Sequence, residues 1–402
     1  MYWGDAGIWL LNSKRASERR KGFTQRRKVY AKTQRRRFVL PLRLCVNFAP
    51  LREKSLAARI LPTVSYRFPW HRLSDEQLLD LRICDLPIKI KGSFLEPHIK
   101  RLYGELNSRG IRFKPHVWLA EEWFSPDGVP GIAIPFYLAH PRLIKLERKQ
   151  MLEVEGGTDT ECLRILRHEA GHALDTAFRL HFKRQYRELF GSFAQPYPDF
   201  YKPKPRSRKF VLHLPAWYAQ AHPAEDFAET FAVWLTPRSQ WRRRYRGWPA
   251  LEKLEYLDEL MTSLAGTKPR NRTRTKVEPL SALKGTLREH YRRKRERYDF
   301  EWPAVYDRDL NRIFSDDPRH TSKQSAASFL RKVRREVRQI VAEGTGVHQY
   351  TIDHVLQNMI DRCKELKLRV ATPFRETRRR VMIVLTVQVM NVLHSGYHRI
   401  AV

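Results

Sequence analysis

The chain has 402 residues, 42% of them apolar, with a formal net charge of +34 and an isoelectric point near 10.4. That content suffices to bury a core, the length allows more than one domain, and the charge attracts polyanions. Four scattered cysteines (Cys45, Cys84, Cys162 and Cys363) form no CxxC pair, which argues against a zinc ribbon or a disulfide scaffold and predicts a reducing, cytoplasmic setting.

Residues 1–60 carry 16 Lys/Arg against 3 Asp/Glu, and 12 of those cations fall between Lys14 and Arg37 beside a single acid. Such a stretch cannot supply a core face and reads as a basic, disordered extension. Its short apolar run, Gly7–Leu11, precedes the cations, the reverse of signal-peptide order. Order is expected from about Pro69. Ser74 with Gln77 reads as a capping box opening a short helix. A second helix fits Leu95–Arg109, stopped by Gly110. Ile111–Leu119 reads as a strand, Ser125–Gly131 as a turn, and Ile132–Leu138 as a strand whose Pro135 favours a sheet edge. Such an edge would suit an extended peptide adding itself as a strand. Leu143–Leu146 reads as a further short strand.

Thr158 with Glu161 opens a helix expected to run to about Phe182, with Cys162, Leu163, Leu166, Ala170, Ala173, Leu174 and Ala177 at helical spacing. A Pro- and Lys-rich loop follows, and Pro223 starts a helix reaching about Leu235. Gly266–Pro279 is polar and basic and reads as a linker. Beyond it, Phe329, Val333, Val337, Ile340 and Val341 form one apolar stripe, and Ile352, Val355, Leu356, Met359, Ile360 and Cys363 another; both are expected core faces. The longest apolar run, Val381–Leu393, contains Gln388 and Asn391 and is too short to cross a membrane. The expected organisation is an extension at 1–60, a domain at 61–265, a linker at 266–279 and a helical region at 280–402.

The chemistry concentrates in His168-Glu169-Ala170-Gly171-His172, an HExxH motif on a predicted helix. Residues four apart share a face, so both imidazoles can grip one Zn2+, and Glu169 stands beside them as a general base. Chance would give this motif in about one chain in a hundred of this length, so coincidence is a poor account of it. A metzincin would need Gly at 175 and His at 178, where this chain has Asp175 and Phe178. The alternative is a Glu from a second helix, the gluzincin arrangement. Glu225 and Glu229 lie four apart on the Pro223 helix; Glu225 is taken as the third ligand and Glu229 as a carboxylate receiving the spare N–H of a metal-bound His.

The HEAGHALD stretch resembles the corresponding helix of anthrax-lethal-factor-like gluzincins. The block YAQAHPAEDFAETFAVWL (218–235) is similar to that of a group of bacterial zinc-binding metallopeptidases, whose blocks read YAxAHPxEDxAETxAxxL. The resemblance covers about 111–240. It implies a zinc peptidase and assigns a Tyr seven residues before the ligand Glu, here Tyr218, to the metal's far side as an oxyanion stabiliser. His222 is expected to be a structural loop residue and His140 a turn residue.

The expected fold is therefore α+β: a zincin-like metallopeptidase domain of a small sheet, the HExxH helix and a second Glu helix, followed by an α-helical C-terminal region. The expected function is hydrolysis of polypeptide substrates by a zinc-activated water. The alternative is a nucleic-acid-associated metalloprotease, or a metal-stabilised nucleic-acid-binding protein, contacting DNA, RNA or another polyanion through its basic flanks.

Overall fold

A computed structural model describes residues 69–198, 200–298, 307–394 and 400–401. The extension expected at 1–60 and Cys45 lie outside the described residues. Those described are mostly helical with a small two-stranded parallel sheet, an α+β arrangement.

Helix α1 (Asp75–Leu79) opens on the capping box: Ser74 Oγ accepts from the Gln77 amide at 3.3 Å, and the Ser74 amide donates to Gln77 Oε1 at 3.0 Å. Helix α2 (Leu95–Ser108) gives way to Gly110, whose φ of 75° ends it in the left-handed region. Strand β1 (His116–Ala120) pairs in parallel with β2 (Gly131–Pro135), His116 opposite Gly131 and Ala120 opposite Pro135.

Three expectations fail here, the first being that the strand expected from Ile111 begins only at His116. The strand expected to reach Leu138 stops at Pro135, and Phe136–Ala139 makes a 3-10 turn. Leu143–Leu146 is not a strand but part of helix α3 (Pro141–Met151). His140 Nδ1 accepts from the Arg142 amide and Pro141 occupies the first turn; Leu143, Leu146, Glu147 and Met151 then bury at helical spacing.

Helix α4 (Asp159–Phe178) begins where Thr158 Oγ1 accepts from the Glu161 amide at 3.3 Å. It ends sooner than expected because Arg179 turns left-handed at φ 56°, and Leu180–Phe182 forms a separate 3-10 turn. Then follow α5 (Arg184–Phe190), the two-residue β3 (Phe200–Tyr201), α6 (Pro223–Leu235), α7 (Trp241–Arg244), α8 (Ala250–Leu264) and α9 (Leu287–Tyr298). The chain continues through α10 (Asp307–Ile313), α11 (Ala326–Thr345), α12 (Gln349–Glu365), α13 (Phe374–His394) and β4 (Ile400–Ala401), which pairs antiparallel with β3.

Apolar side chains gather into two main cores. The first runs from Trp70 to Tyr291 and includes Leu102, Ile132, Leu166, Phe227 and Leu257. The second runs from Leu310 to Val389 around the stripes of α11 and α12; Ile340 alone of those stripes is exposed. The stretch 266–279, expected as a linker, lies along the first core: the Asn271 amide donates to Ala177 O at 2.9 Å and Trp118 Nε1 to Val277 O at 2.9 Å.

Three low-exposure ion pairs cross between helices of the first core. Arg167 on α4 makes two 2.7 Å bonds to Glu105 on α2, Lys253 on α8 reaches Asp226 on α6 at 2.5 Å, and Lys294 on α9 reaches Glu147 on α3 at 2.5 Å. Charges placed this deep must be paired, so these contacts specify which helices meet.

Candidate metal centre

Helices α4 and α6 pack directly on each other, and Gly171, inside HExxH, permits it. A Cβ there would lie 2.9 Å from Ala228 Cα and 3.2 Å from Ala228 O on α6. With α6 this close, its carboxylates reach the imidazoles of α4.

His172 Nε2 lies 3.1 Å from His168 Nε2, and each of these nitrogens lies 3.1 Å from Glu225 Oε2. Three donor atoms thus form a nearly equilateral triangle. In a tetrahedral zinc site with bonds of about 2.0–2.1 Å, ligand atoms stand about 3.3–3.4 Å apart, so the triangle fits one face of such a site. Two imidazoles and one carboxylate are also the donor chemistry that zinc takes.

The surrounding bonds fix which atoms face the triangle. His168 Nδ1 donates to Glu229 Oε1 at 2.9 Å, so in the neutral ring Nε2 would offer its lone pair to a metal ion. Glu229 has no exposed surface, and its second oxygen accepts from the Leu214 amide at 2.8 Å. Burial alone would push the Glu225 carboxyl up, but the adjacent His172 and His168 outweigh it and hold the group well below the usual carboxylate range. Burial would likewise push the His168 imidazole down, yet Glu225 and Glu229 hold it well above its ordinary value. The pocket is built to keep a carboxylate charged beside cationic character, the demand a metal ion would also make.

Glu169 is buried on α4 next to His168. Tyr218 stands in a 3-10 segment, Pro215–Gln220, with its ring centroid 5.6 Å from that of His168. The two residues before it, Ala216 (φ 60°) and Trp217 (φ 54°), are both left-handed, a costly conformation for side-chain-bearing residues. That conformation is held from outside: Tyr201 Oη donates to Ala216 O at 2.8 Å, Leu214 is bound by Glu229, and His213 Nε2 bonds Arg164 O at 3.0 Å. Glu229 therefore ties the His168 imidazole to the segment that carries Tyr218.

His222 is not turned to the metal triangle. Its Nδ1 accepts from the Ala224 amide at 3.1 Å, capping α6, and its Nε2 bonds Gln195 O at 3.0 Å. Strand β2 is buried throughout, and Phe124 occupies one of its edges by exchanging both backbone bonds with Ala133, so the open substrate edge expected there is absent among the described residues.

One contact had no counterpart in the sequence reading. Tyr197 Oη donates to Glu225 Oε1 at 3.0 Å while its ring stacks on His222 at 3.8 Å. Tyr197 lies in a proline-rich loop without periodicity, so nothing local signals it. Gly171 did carry a signal: a glycine inside a helix costs about 1 kcal/mol relative to alanine, and it marks a close approach.

Among the described residues, His168, His172 and Glu225 form a group able to hold a metal ion. A family model described as "Putative zinc-binding metallo-peptidase" matches residues 147–241, a span containing His168, Glu169, His172, Tyr197, Tyr218, Glu225 and Glu229. No curated protein and no solved structure matches the chain.

Proposed function

We propose that this chain is a zinc-dependent peptidase of the gluzincin type, with His168, His172 and Glu225 as metal ligands and Glu169 as general base. The observation that carries the reading is the 3.1 Å triangle of two imidazole nitrogens and one carboxylate oxygen, with Glu169 adjacent on the same helix. The zinc-binding family match over 147–241 supports metallopeptidase chemistry in general.

Zinc held there would make a water molecule acidic enough, with a pKa of about 7, to attack a peptide carbonyl at neutral pH. The Glu169 carboxylate takes the water's proton and delivers it to the leaving amine. The Tyr218 phenol donates to the carbonyl oxygen as it gains negative charge. Glu229 holds the His168 ring by its Nδ1–H, and Tyr197 holds the far oxygen of Glu225. These second contacts keep the ligands oriented.

The test joins metal content to turnover. Purified protein is expected to carry about one zinc per chain. His168→Ala and Glu225→Ala are expected to lose it. Glu169→Gln is expected to keep the metal and lose nearly all chelator-sensitive casein hydrolysis, since an amide cannot accept the proton. Full zinc retention in Glu225→Ala would move the third ligand elsewhere, and undiminished hydrolysis in Glu169→Gln would remove that residue from the mechanism.

A further inference from the structure

Two cavities on the first core carry a charge pattern that the peptidase reading does not use. The first, of about 340 Å3, is lined by Arg179, Lys183, Lys268 and Arg270, with Leu180 among the apolar residues of its wall and Phe182 beside them. The second, of about 410 Å3, is lined by Arg109, Arg238, Arg242 and Arg243 around Trp241. Neither lining contains an acid. The segments that form them touch, because the Gly266 amide donates to Gly110 O at 3.0 Å.

The surface of this part of the chain would ordinarily mix the signs. Residues 61–279 hold 36 Lys/Arg against 26 Asp/Glu, so eight cations and no acid in the two linings is a local segregation. Arg242 pairs with Asp258 and Arg109 donates to Trp234 O. The other six make no ion pair among the described residues. Concave walls of one sign concentrate potential and select a polyanion.

Phe182 narrows the class. It is 67% exposed, the most exposed large apolar side chain among the described residues, and it sits between Arg179 and Lys183 in the first lining. Its ring lies against that of His181, centroids 4.3 Å apart, and most of its surface stays open to solvent. Cations that track a backbone, with an aromatic on which a base can stack, are the combination that binds single-stranded nucleic acid. A duplex keeps its bases stacked inside and could use only the cations. The 340 Å3 cavity also falls within the range of small-ligand sites, about 300–1,000 Å3.

We infer that this double cavity is a binding site for single-stranded nucleic acid, the phosphates held by the arginines and lysines and a base stacked on Phe182. The site belongs to the folded core and is distinct from the basic flanks. Arg179, in its first lining, caps the helix α4 that carries HExxH.

The experiment uses the full chain, its basic extension kept in every variant so that differences report the core. The probe is a labelled oligo(dT) of about 20 nucleotides, followed by anisotropy from about 50 to 300 mM salt. Arg179→Glu/Arg270→Glu is expected to weaken binding at least about tenfold and to flatten the log–log salt slope by about 1.4, the share of two phosphates on a single strand. Phe182→Ala is expected to weaken oligo(dT) about tenfold and leave a duplex of the same length unaffected. Zinc content and far-UV circular dichroism should match the unsubstituted chain in both variants, which separates this outcome from a failure of the metal reading. Absence of oligo(dT) binding at the lowest salt, affinity in both variants unchanged from the unsubstituted chain, or competition by polyglutamate as strong as by oligonucleotide would each overturn the inference.

Discussion

Tyr197 bonds a carboxylate oxygen of the triangle and Tyr218 is proposed to bond a substrate oxygen, which separates their expected effects. Tyr197 donates to Glu225 Oε1, a buried atom left without that donor in Tyr197→Phe. An unsatisfied buried acceptor costs about 1–3 kcal/mol, and a loss near the lower end is about tenfold in an equilibrium constant. Tyr197→Phe is therefore expected to weaken zinc binding about tenfold or more, measured by competition with a chelator of known affinity. Tyr218 stands beside His168, their ring centroids 5.6 Å apart, and its proposed donor is needed mainly when charge develops. Tyr218→Phe is expected to lower the turnover number about 10–1000-fold with zinc affinity unchanged. Reversed results, metal loss from Tyr218→Phe and slow turnover from Tyr197→Phe, would exchange the two roles.

At the scale of elements, the site depends on the close approach of α6 to α4 at Gly171. Gly171→Ala would gain about 1 kcal/mol of intrinsic helix propensity. Its Cβ would nevertheless meet Ala228 Cα at 2.9 Å, a backbone atom that can yield only if one helix moves. The expected outcome is a less stable protein with weaker zinc binding, read from denaturant midpoint and chelator competition; a stabilised variant with unchanged affinity would show slack between the helices. The Arg167–Glu105 pair sets the same helix against α2. Glu105→Gln strands part of a buried guanidinium's charge and is expected to cost about 3–5 kcal/mol in denaturant unfolding, whereas an exposed pair such as Arg184–Glu188 should matter little. The α3 segment shows where element type escapes a local reading. Leu143 and Leu146 alone allow a strand, and the capping by His140 with the later burial of Met151 decides for a helix.

Across the whole molecule, α9 reaches back over the sequence to hold the sheet region. His290 Nδ1 lies 2.9 Å and Arg293 Nη2 2.8 Å from Glu121 Oε1, just beyond β1. Burial would push the Glu121 carboxyl up, but His290 and Arg293 overcome it and hold it at about 2, against an ordinary 4.5. A folded-state pKa below the unfolded one stabilises the fold at pH above about 4.5, and that contribution fades as pH falls toward about 2. Stability should therefore drop with acid across that window, and Glu121→Gln should show a shallower drop there. An identical acid profile for both proteins would mean that the clasp is not coupled to folding.

The sequence by itself determined what depends on local repeat. Both imidazoles of HExxH share a face because they are four residues apart on a helix, and the Pro223–Leu235 helix follows from its proline start and apolar spacing. The composition of the flanks was legible too, since charge needs no fold to be counted. Only the tertiary structure decided which surfaces meet. Gly171 seats α6 on α4, Glu229 joins His168 to the Tyr218 segment, and Tyr197 arrives from a loop 28 residues before Glu225. It also gathered scattered arginines and lysines into two adjoining cavities and put α9 with the first core. Periodicity reports that a face is buried but not against what, because the partner is chosen by complementary shape and paired charge between segments far apart in the chain.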